Sequence, residues 1–322
     1  MRSILFITRV DRAYFVLKLL SYIRTKTEKI DLVIVSDDRY NPCKIMVDNF
    51  EYMSPNVNQE EFIKGIIKKY NVKGVFVASS YDLLLLKNIK LWLLEQEISY
   101  YTPDENSLKI CLSKYRQYYF LTEIGVLTPC VYDYEDILHN NQRDIFPVIV
   151  KPIYGQGSEE VVLVSNKEEL KKKAYNEDFL IQERTEGVEY TVDCFTDKNG
   201  NLLLCVPRIR ASVLGAHAVA AKIQLNKEIY EIALRINANL KIYGPWNFQL
   251  FQTKNGYAVH DINPRIASGI IFSLEAGAAF DKLIVDHLLD STAEAKNDKS
   301  YMQWVQDGAE LYGFNVCSYA KK

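Results

Sequence analysis

Trp246-Asn247-Phe248-Gln249-Leu250-Phe251-Gln252 and, after a polar turn, Tyr257-Ala258-Val259-His260-Asp261-Ile262-Asn263-Pro264-Arg265 form the stretch on which the reading of this chain turns. Two runs of strand composition around Asn255-Gly256 predict a β-hairpin. Asp261 and Asn263 are two residues apart, so on a strand they share a side. Hard oxygen ligands placed this way suit Mg²⁺ shared with the phosphates of a nucleotide. Arg265 follows at once, where a guanidinium can neutralise charge on a phosphoryl group in transfer. His260 alternates to the opposite side and reads as structural.

The hairpin admits two registers. A three-residue loop, Lys254-Asn255-Gly256, pairs Gln249 with Asp261, Phe251 with Val259 and Thr253 with Tyr257. A two-residue Asn255-Gly256 turn, favoured by composition, sets Leu250 opposite Asp261 and sends Gln249 to the other face. Metal chemistry requires the first register or a compensating bulge. The expectation here is that chemistry overrides local preference.

Upstream, Phe146-Pro147-Val148-Ile149-Val150-Lys151-Pro152 runs into Tyr154-Gly155-Gln156-Gly157-Ser158. Glycines allow backbone N–H groups to approach phosphate oxygens, and Lys151 adds a point charge beside them. A lysine ending a strand before an ordinary glycine turn explains the same residues as readily. Phe179 to Tyr190 is an apolar strand entering three acidic residues, Glu183, Glu186 and Glu189. Its backbone can face an adenine edge and a carboxylate can accept ribose hydroxyls, but a solvated acidic turn reads the same way. Arg208 and Arg210 share one strand face, either as a clamp for carboxylate or phosphate or as a basic exposed surface. Cys194 and Cys205 sit in apolar strand patterns as small hydrophobes. Tyr115, Tyr118 and Tyr119 read as packing.

The first hundred residues alternate strand and helix: Ser3 to Thr8, Ala13 to Ile23, Asp31 to Ser36, Glu60 to Tyr70, Gly74 to Ala78, Tyr81 to Glu95, Ser99 to Tyr101. That order predicts a parallel, doubly wound sheet. The turn after the first strand, Ile7 to Arg12, contains no glycine, which excludes a dinucleotide fingerprint. Thr102-Pro103-Asp104 ends this unit. One helix is expected from Ser107 to Gly125, and antiparallel strands follow, with a hairpin at Asp197-Lys198-Asn199-Gly200, a helix from Glu228 to Leu240 and a closing helix from Phe272 to Leu289.

The chain of 322 residues has 48% hydrophobic and 25% charged residues, a folded composition with room for more than one core. A net charge of −2 gives no bulk attraction for nucleic acid or anionic membrane. The six cysteines are scattered without a C-x-x-C pair, and no apolar run approaches a membrane span. A reduced, cytoplasmic protein is expected.

Taken in order, these segments resemble the ATP-grasp superfamily, closest to the carbamoyl-phosphate-synthetase-like carboxylate–amine ligases. The resemblance covers roughly 107–289 and rests above all on Gln249 with Asp261-Ile-Asn263-Pro-Arg265. It implies an α/β parallel-sheet pre-ATP-grasp domain (1–104) followed by an α+β ATP-grasp domain of two subdomains (105–322, lid about 114–183). Lys114 and Lys151 match the phosphate-binding lysines, although Ser113 replaces the usual Asp and Arg116 lies close. Gly155, Gly157 and Ser158 match the loop over the phosphates. Glu183 and Glu186 fall on the adenine hinge, Glu186 through its backbone, and Glu189 matches the ribose carboxylate. His217 matches a histidine near the nucleotide. Gln249, Asp261 and Asn263 match the metal set, with Asp261 where Glu is usual. Arg265 matches the arginine of phosphoryl transfer, catalytic together with Lys151.

The implied activity uses ATP and Mg²⁺, with Mn²⁺ an admissible substitute, to activate a carboxylate as an acyl phosphate that an amine, or less often a thiol, displaces. An amino acid joined to an amine fits this scheme. Expected partners are small-molecule carboxylate and amine substrates, with no nucleic acid and no membrane, and a homodimer stays open. A nucleotide-binding regulatory or scaffold module without ligase turnover is the competing expectation.

Overall fold

The computed structural model describes residues 2–9, 12–139, 145–155, 160–173, 178–215, 217–289 and 301–313. Strands β1 (Arg2–Ile7), β2 (Ile30–Ser36), β3 (Asn49–Tyr52), β4 (Val72–Val77) and β5 (Ser99–Tyr100) form an all-parallel sheet in the order β3-β2-β1-β4-β5. Apolar residues occupy both faces because helices cover both. Leu5, Ile7, Val33, Val35, Val75 and Val77 pack with residues of the helices Gln59–Lys69 and Ser80–Asn88. Ile4, Phe6, Ile34 and Phe76 pack with Ala13–Ile23 and with a helix from the far end of the chain, Phe280–Leu289. Phe6 and Phe76 stack at 4.3 Å between ring centroids on that second face. The first core therefore continues across the Thr102-Pro103-Asp104 break. Asp104 itself caps the next helix, accepting from the Ser107 N–H at 2.7 Å.

Two antiparallel sheets follow. β6 (Val131–Tyr132), β7 (Val148–Pro152), β8 (Val162–Val164) and β9 (Phe179–Glu183) assemble in the order β6-β9-β7-β8. β10 (Val188–Thr196), β11 (Leu202–Leu214), β12 (His217–Ile223), β13 (Gly244–Thr253), β14 (Gly256–Asn263) and β15 (Glu310–Tyr312) assemble in the order β14-β13-β10-β11-β12-β15. One face of the larger sheet is apolar: Tyr190, Val192, Cys194, Phe248, Leu250 and Ile262 pack against Ile229, Ala233 and Ile236 of the helix Lys227–Asn239. The β10–β11 turn is the expected Asp197–Gly200 hairpin, where the Asp197 carboxylate accepts the N–H groups of Asn199 (2.9 Å) and Asn201 (2.8 Å). No described helix is long and apolar enough to cross a membrane.

Three helices expected to be continuous are broken. Tyr81 to Glu95 divides at Ile89 into Ser80–Asn88 and Lys90–Glu95. Ser107 to Gly125 divides at Ser113, whose hydroxyl caps the second piece, Lys114–Glu123. Phe272 to Leu289 divides into Ile270–Glu275 and Phe280–Leu289, with Gly277 between them at φ +97°. A Cβ at Gly277 would lie 2.2 Å from the Trp304 carbonyl oxygen, so neither the conformation nor the space admits a side chain. Gly277→Ala is expected to lower stability by roughly 1–3 kcal/mol through backbone strain. Urea denaturation measures it, and an unchanged midpoint would show that this junction yields freely.

Candidate functional site

A pocket of about 400 Å³ opens between the two antiparallel sheets. Its floor is the polar face of the larger sheet, where period-two alternation places the side chains of β10, β11 and β13. Thr191 of β10 pairs with Arg208 of β11 and with Gln249 of β13, and Gln249 pairs with Asp261 of β14. One straight row therefore carries Arg208, Thr191, Gln249 and Asp261. The next row holds Asp193, Asn247 and Asn263. Lys151, Gln182 and Glu183 come from the facing sheet, and Lys114 from the helix that starts beside it.

Gln249 does oppose Asp261, through a compensating bulge rather than a three-residue loop. Lys254 and Asn255 form a two-residue turn, one position earlier than the Asn255-Gly256 turn, and Thr253 pairs with Gly256. Leu250 then pairs with Val259, and the register slips by one before Gln249 meets Asp261. His260 is the extra residue of that bulge. The structural reading of His260, with its ring on the opposite side from Asp261, is overturned: it lines the pocket and stacks on Phe251 at 4.8 Å. Burial, reinforced by Lys151, pushes its pKa down to about 3, so the ring is neutral. The outer edge of β14 is held by Gln117, which accepts from the Ile262 N–H (2.8 Å) and donates to its carbonyl (3.1 Å). That clamp docks the helix carrying Lys114 against the strand carrying Asp261.

The charged groups are close together. Asn263 Nδ2 donates to Asp261 Oδ2 at 2.7 Å, and Arg265 Nη2 donates to Asn263 Oδ1 at 3.1 Å. Arg265 Nε is buried with no hydrogen-bond partner. Lys151 is only 6% exposed, and burial lowers its pKa to about 8 despite the attraction of Asp261. Burial opposes it, yet Lys114 and Lys151 hold the Asp261 carboxyl below its usual range. Lys114 Nζ donates to the Gly155 carbonyl at 2.9 Å, and Gly155 lines the pocket. Gly157 and Ser158 lie outside the described residues. Glu183 accepts from the Cys130 N–H at 3.1 Å at the pocket edge. Glu189 Oε1 accepts from Gln249 Nε2 (3.1 Å) and lies 3.3 Å from Arg210 Nη1.

Two expected residues stand apart. Glu186, expected to act through its backbone, turns its side chain to solvent in an ion pair with Arg184 at 2.9 Å and does not line the main pocket. His217 is exposed at the base of the β11–β12 turn, and its neighbour Ala218 reaches the pocket instead. Tyr115 and Tyr119 meet edge to face outside the pocket. Cys194 and Cys205 face each other across β10 and β11, fully buried, and burial drives the Cys194 thiol far above its usual pKa.

Arg208 and Arg210 both line the pocket, but they are held differently. Arg208 is 2% exposed; its Nε donates to Asp193 Oδ2 (2.9 Å), which also accepts from Ser273 Oγ (2.6 Å). Its Nη atoms lie against Gly269, where a Cβ would come within 2.9 Å of Nη1. Asp193, Thr191, Asn247 and Ser273 were not singled out from sequence, although Thr191 and Asn247 lie two residues from Glu189 and Gln249. Asp193→Ala leaves Arg208 buried and unpaired, and a stability loss of about 3–5 kcal/mol is expected. Urea denaturation tests this, and a loss below about 1 kcal/mol would show that Asp193 does not hold the arginine.

A family model described as ATP-grasp in the biosynthetic pathway with Ter operon matches residues 175–309. Among solved structures, biotin carboxylase of Campylobacter jejuni aligns with a TM-score of 0.73 at 14% identity, covering 96% of this chain and 74% of that one. N5-carboxyaminoimidazole ribonucleotide synthetase of Thermotoga maritima gives 0.66 at 17% identity, covering 90% and 76%. L-amino acid ligase of Bacillus licheniformis gives 0.68 at 15% identity, covering 90% and 74%. At these identities the likeness is one of fold. No curated protein matches the sequence.

Proposed function

We propose that this chain, a member of the ATP-grasp superfamily, is a Mg-ATP-dependent carboxylate–amine ligase. The observation that carries the reading is the convergence, on one pocket, of two lysines and a partly unsatisfied arginine with a carboxylate and two amides. Asp261, Asn263 and Gln249 offer hard oxygens on neighbouring strands. Among the described residues no group of three His, Cys, Asp or Glu side chains surrounds a metal position. This donor set suits an ion that completes its shell with phosphate oxygens and water. When bound, Mg²⁺ supplies charge neutralisation at those oxygens.

The protein residues have separate tasks. Lys151, buried and short of an anion, binds phosphate in its charged form. Arg265 turns its unpartnered Nε toward the same charge. Lys114 ties the glycine loop to the pocket through Gly155. Arg210 is engaged with Glu189 at the nucleoside end, so Arg208, anchored from behind by Asp193, is left to receive the substrate carboxylate. A carboxylate oxygen held there attacks the γ-phosphorus. The bond from that phosphorus to the bridging oxygen breaks, and ADP leaves with its electrons. The acyl phosphate is then attacked at carbon by an amine, which expels phosphate and loses one proton. Positioning and electrostatics carry such a reaction without a protein nucleophile.

Screening ADP release over amino acids and small acids, singly and with amines, with product mass, tests the reading. Lys151→Ala and Asp261→Ala are each expected to cut ADP formation by about 100-fold or more with the fold preserved by circular dichroism. Near-normal turnover in both variants would refute the assignment. Nucleotide binding without ADP release for any pair would favour a non-catalytic module.

A further inference from the structure

The first turn of the helix Lys114–Glu123 is bonded to both walls of the pocket. Its Lys114 N–H donates to the Ile153 carbonyl at 3.0 Å, just past the strand that carries Lys151. One turn on, Gln117 reaches the larger sheet at Ile262, the residue between Asp261 and Asn263. β14 ends that sheet, and the outward N–H and C=O of Ile262 both meet the Gln117 amide.

That amide carries one accepting oxygen and two N–H donors, and each is engaged. Oε1 accepts from the Ile262 N–H at 2.8 Å, while Nε2 donates to the Ile262 carbonyl at 3.1 Å and to the Cys111 carbonyl at 2.8 Å. Cys111 belongs to the preceding helix, Glu105–Leu112, so the same amide spans the break before Lys114. The side chain is buried, where a group deprived of its partner costs its full desolvation. An amide that pairs with both polar groups of one residue does what a neighbouring strand would do. The place matters, because the β13–β14 ladder slips at His260, immediately before Asp261. From Asp261 onward, β13 holds one edge of the strand and Gln117 holds the other.

We propose that Gln117 is a positioning residue for the metal site, fixing Asp261 and Asn263 relative to Lys114 so that the oxygen donors and the phosphate-binding lysine keep one spacing. The inference rests on the reading of Gln249, Asp261 and Asn263 as the metal set. Gln117 does not line the pocket and acts through Ile262. Side chains that orient metal ligands without touching the metal are worth about 10–100-fold in metal affinity.

Calorimetric titration with ADP, with and without Mg²⁺, of the unaltered protein and of Gln117→Met, Gln117→Glu and Gly277→Ala tests it without requiring turnover. Methionine keeps the length of the side chain and removes the amide. Glutamate keeps an oxygen for the Ile262 N–H and loses both donors. Mg²⁺ is expected to tighten ADP binding to the unaltered protein, and the quantity read is the size of that gain. In Gln117→Met and Gln117→Glu the gain falls about tenfold or is lost. In Gly277→Ala, a destabilising change outside the pocket lining, it is unchanged, which separates positioning from mere loss of stability. An equal gain in the unaltered protein and Gln117→Met, or an equal loss in Gly277→Ala, would overturn the inference alone. No gain in the unaltered protein would overturn the metal reading as well. Should Gln117→Met not fold, an undiminished gain in folded Gln117→Glu overturns the inference.

Discussion

Positive charge held out of water is the constraint around which the larger sheet is organised. A buried cation must find an anion or give up its proton. Arg208 cannot do the second, and the fold supplies the first at length: Asp193 on the neighbouring strand, Ser273 to hold Asp193, and Gly269 to leave room for the guanidinium. Those contacts tie β10 and β11 to the helix Ile270–Glu275. Lys151 receives no such provision. Its pKa falls to about 8, and its attraction to Asp261 only partly offsets burial. One cation is thus anchored in place by a carboxylate of its own, and the other is left wanting the anion that a triphosphate would bring.

The floor of the pocket shows a second constraint, that of counting. β14 must present Asp261 and Asn263 to the pocket while Val259 and Ile262 remain in the core. Strict alternation cannot place 259 and 262 on one face with 261 and 263 on the other. One additional residue resolves the conflict, and the loss of pairing at that point is local. The Gln117 amide replaces a neighbouring strand on the exposed edge, so the irregular strand is braced where it departs from the ladder.

These constraints explain what was legible in the residues and what was not. β1, β2 and β4 are continuous apolar runs because both faces are covered, and that pattern needs no tertiary knowledge. β3 is half-exposed along its length, has no such signature, and was missed. Helix breaks at Ile89, Ser113 and Gly277 fall inside apolar patterns that continue through them. At Gly277 the cause is the Trp304 carbonyl, 27 residues away in sequence and beyond local inference. Site residues spaced by two, such as Asp261 with Asn263 or Arg208 with Arg210, could be placed because a strand alternates whatever surrounds it. His260 was misread for the same reason, since a bulge breaks the rule that made the others readable. The Asp193–Ser273 contact joins residues 80 apart and leaves no trace in either neighbourhood.

The helix Phe280–Leu289 closes the second face of the N-terminal sheet, with Phe280, Leu283, Ile284 and Leu288 in one cluster with Ile4, Phe6 and Phe76. Strands β1, β2 and β4 are therefore made about 200 residues or more before the helix that completes the cover begun by Ala13–Ile23. The two antiparallel sheets have their complete sequence before that helix arrives, except for β15. Vectorial synthesis thus favours completion of the antiparallel sheets before the parallel one, and the nascent parallel sheet is the part with most to gain from a chaperone.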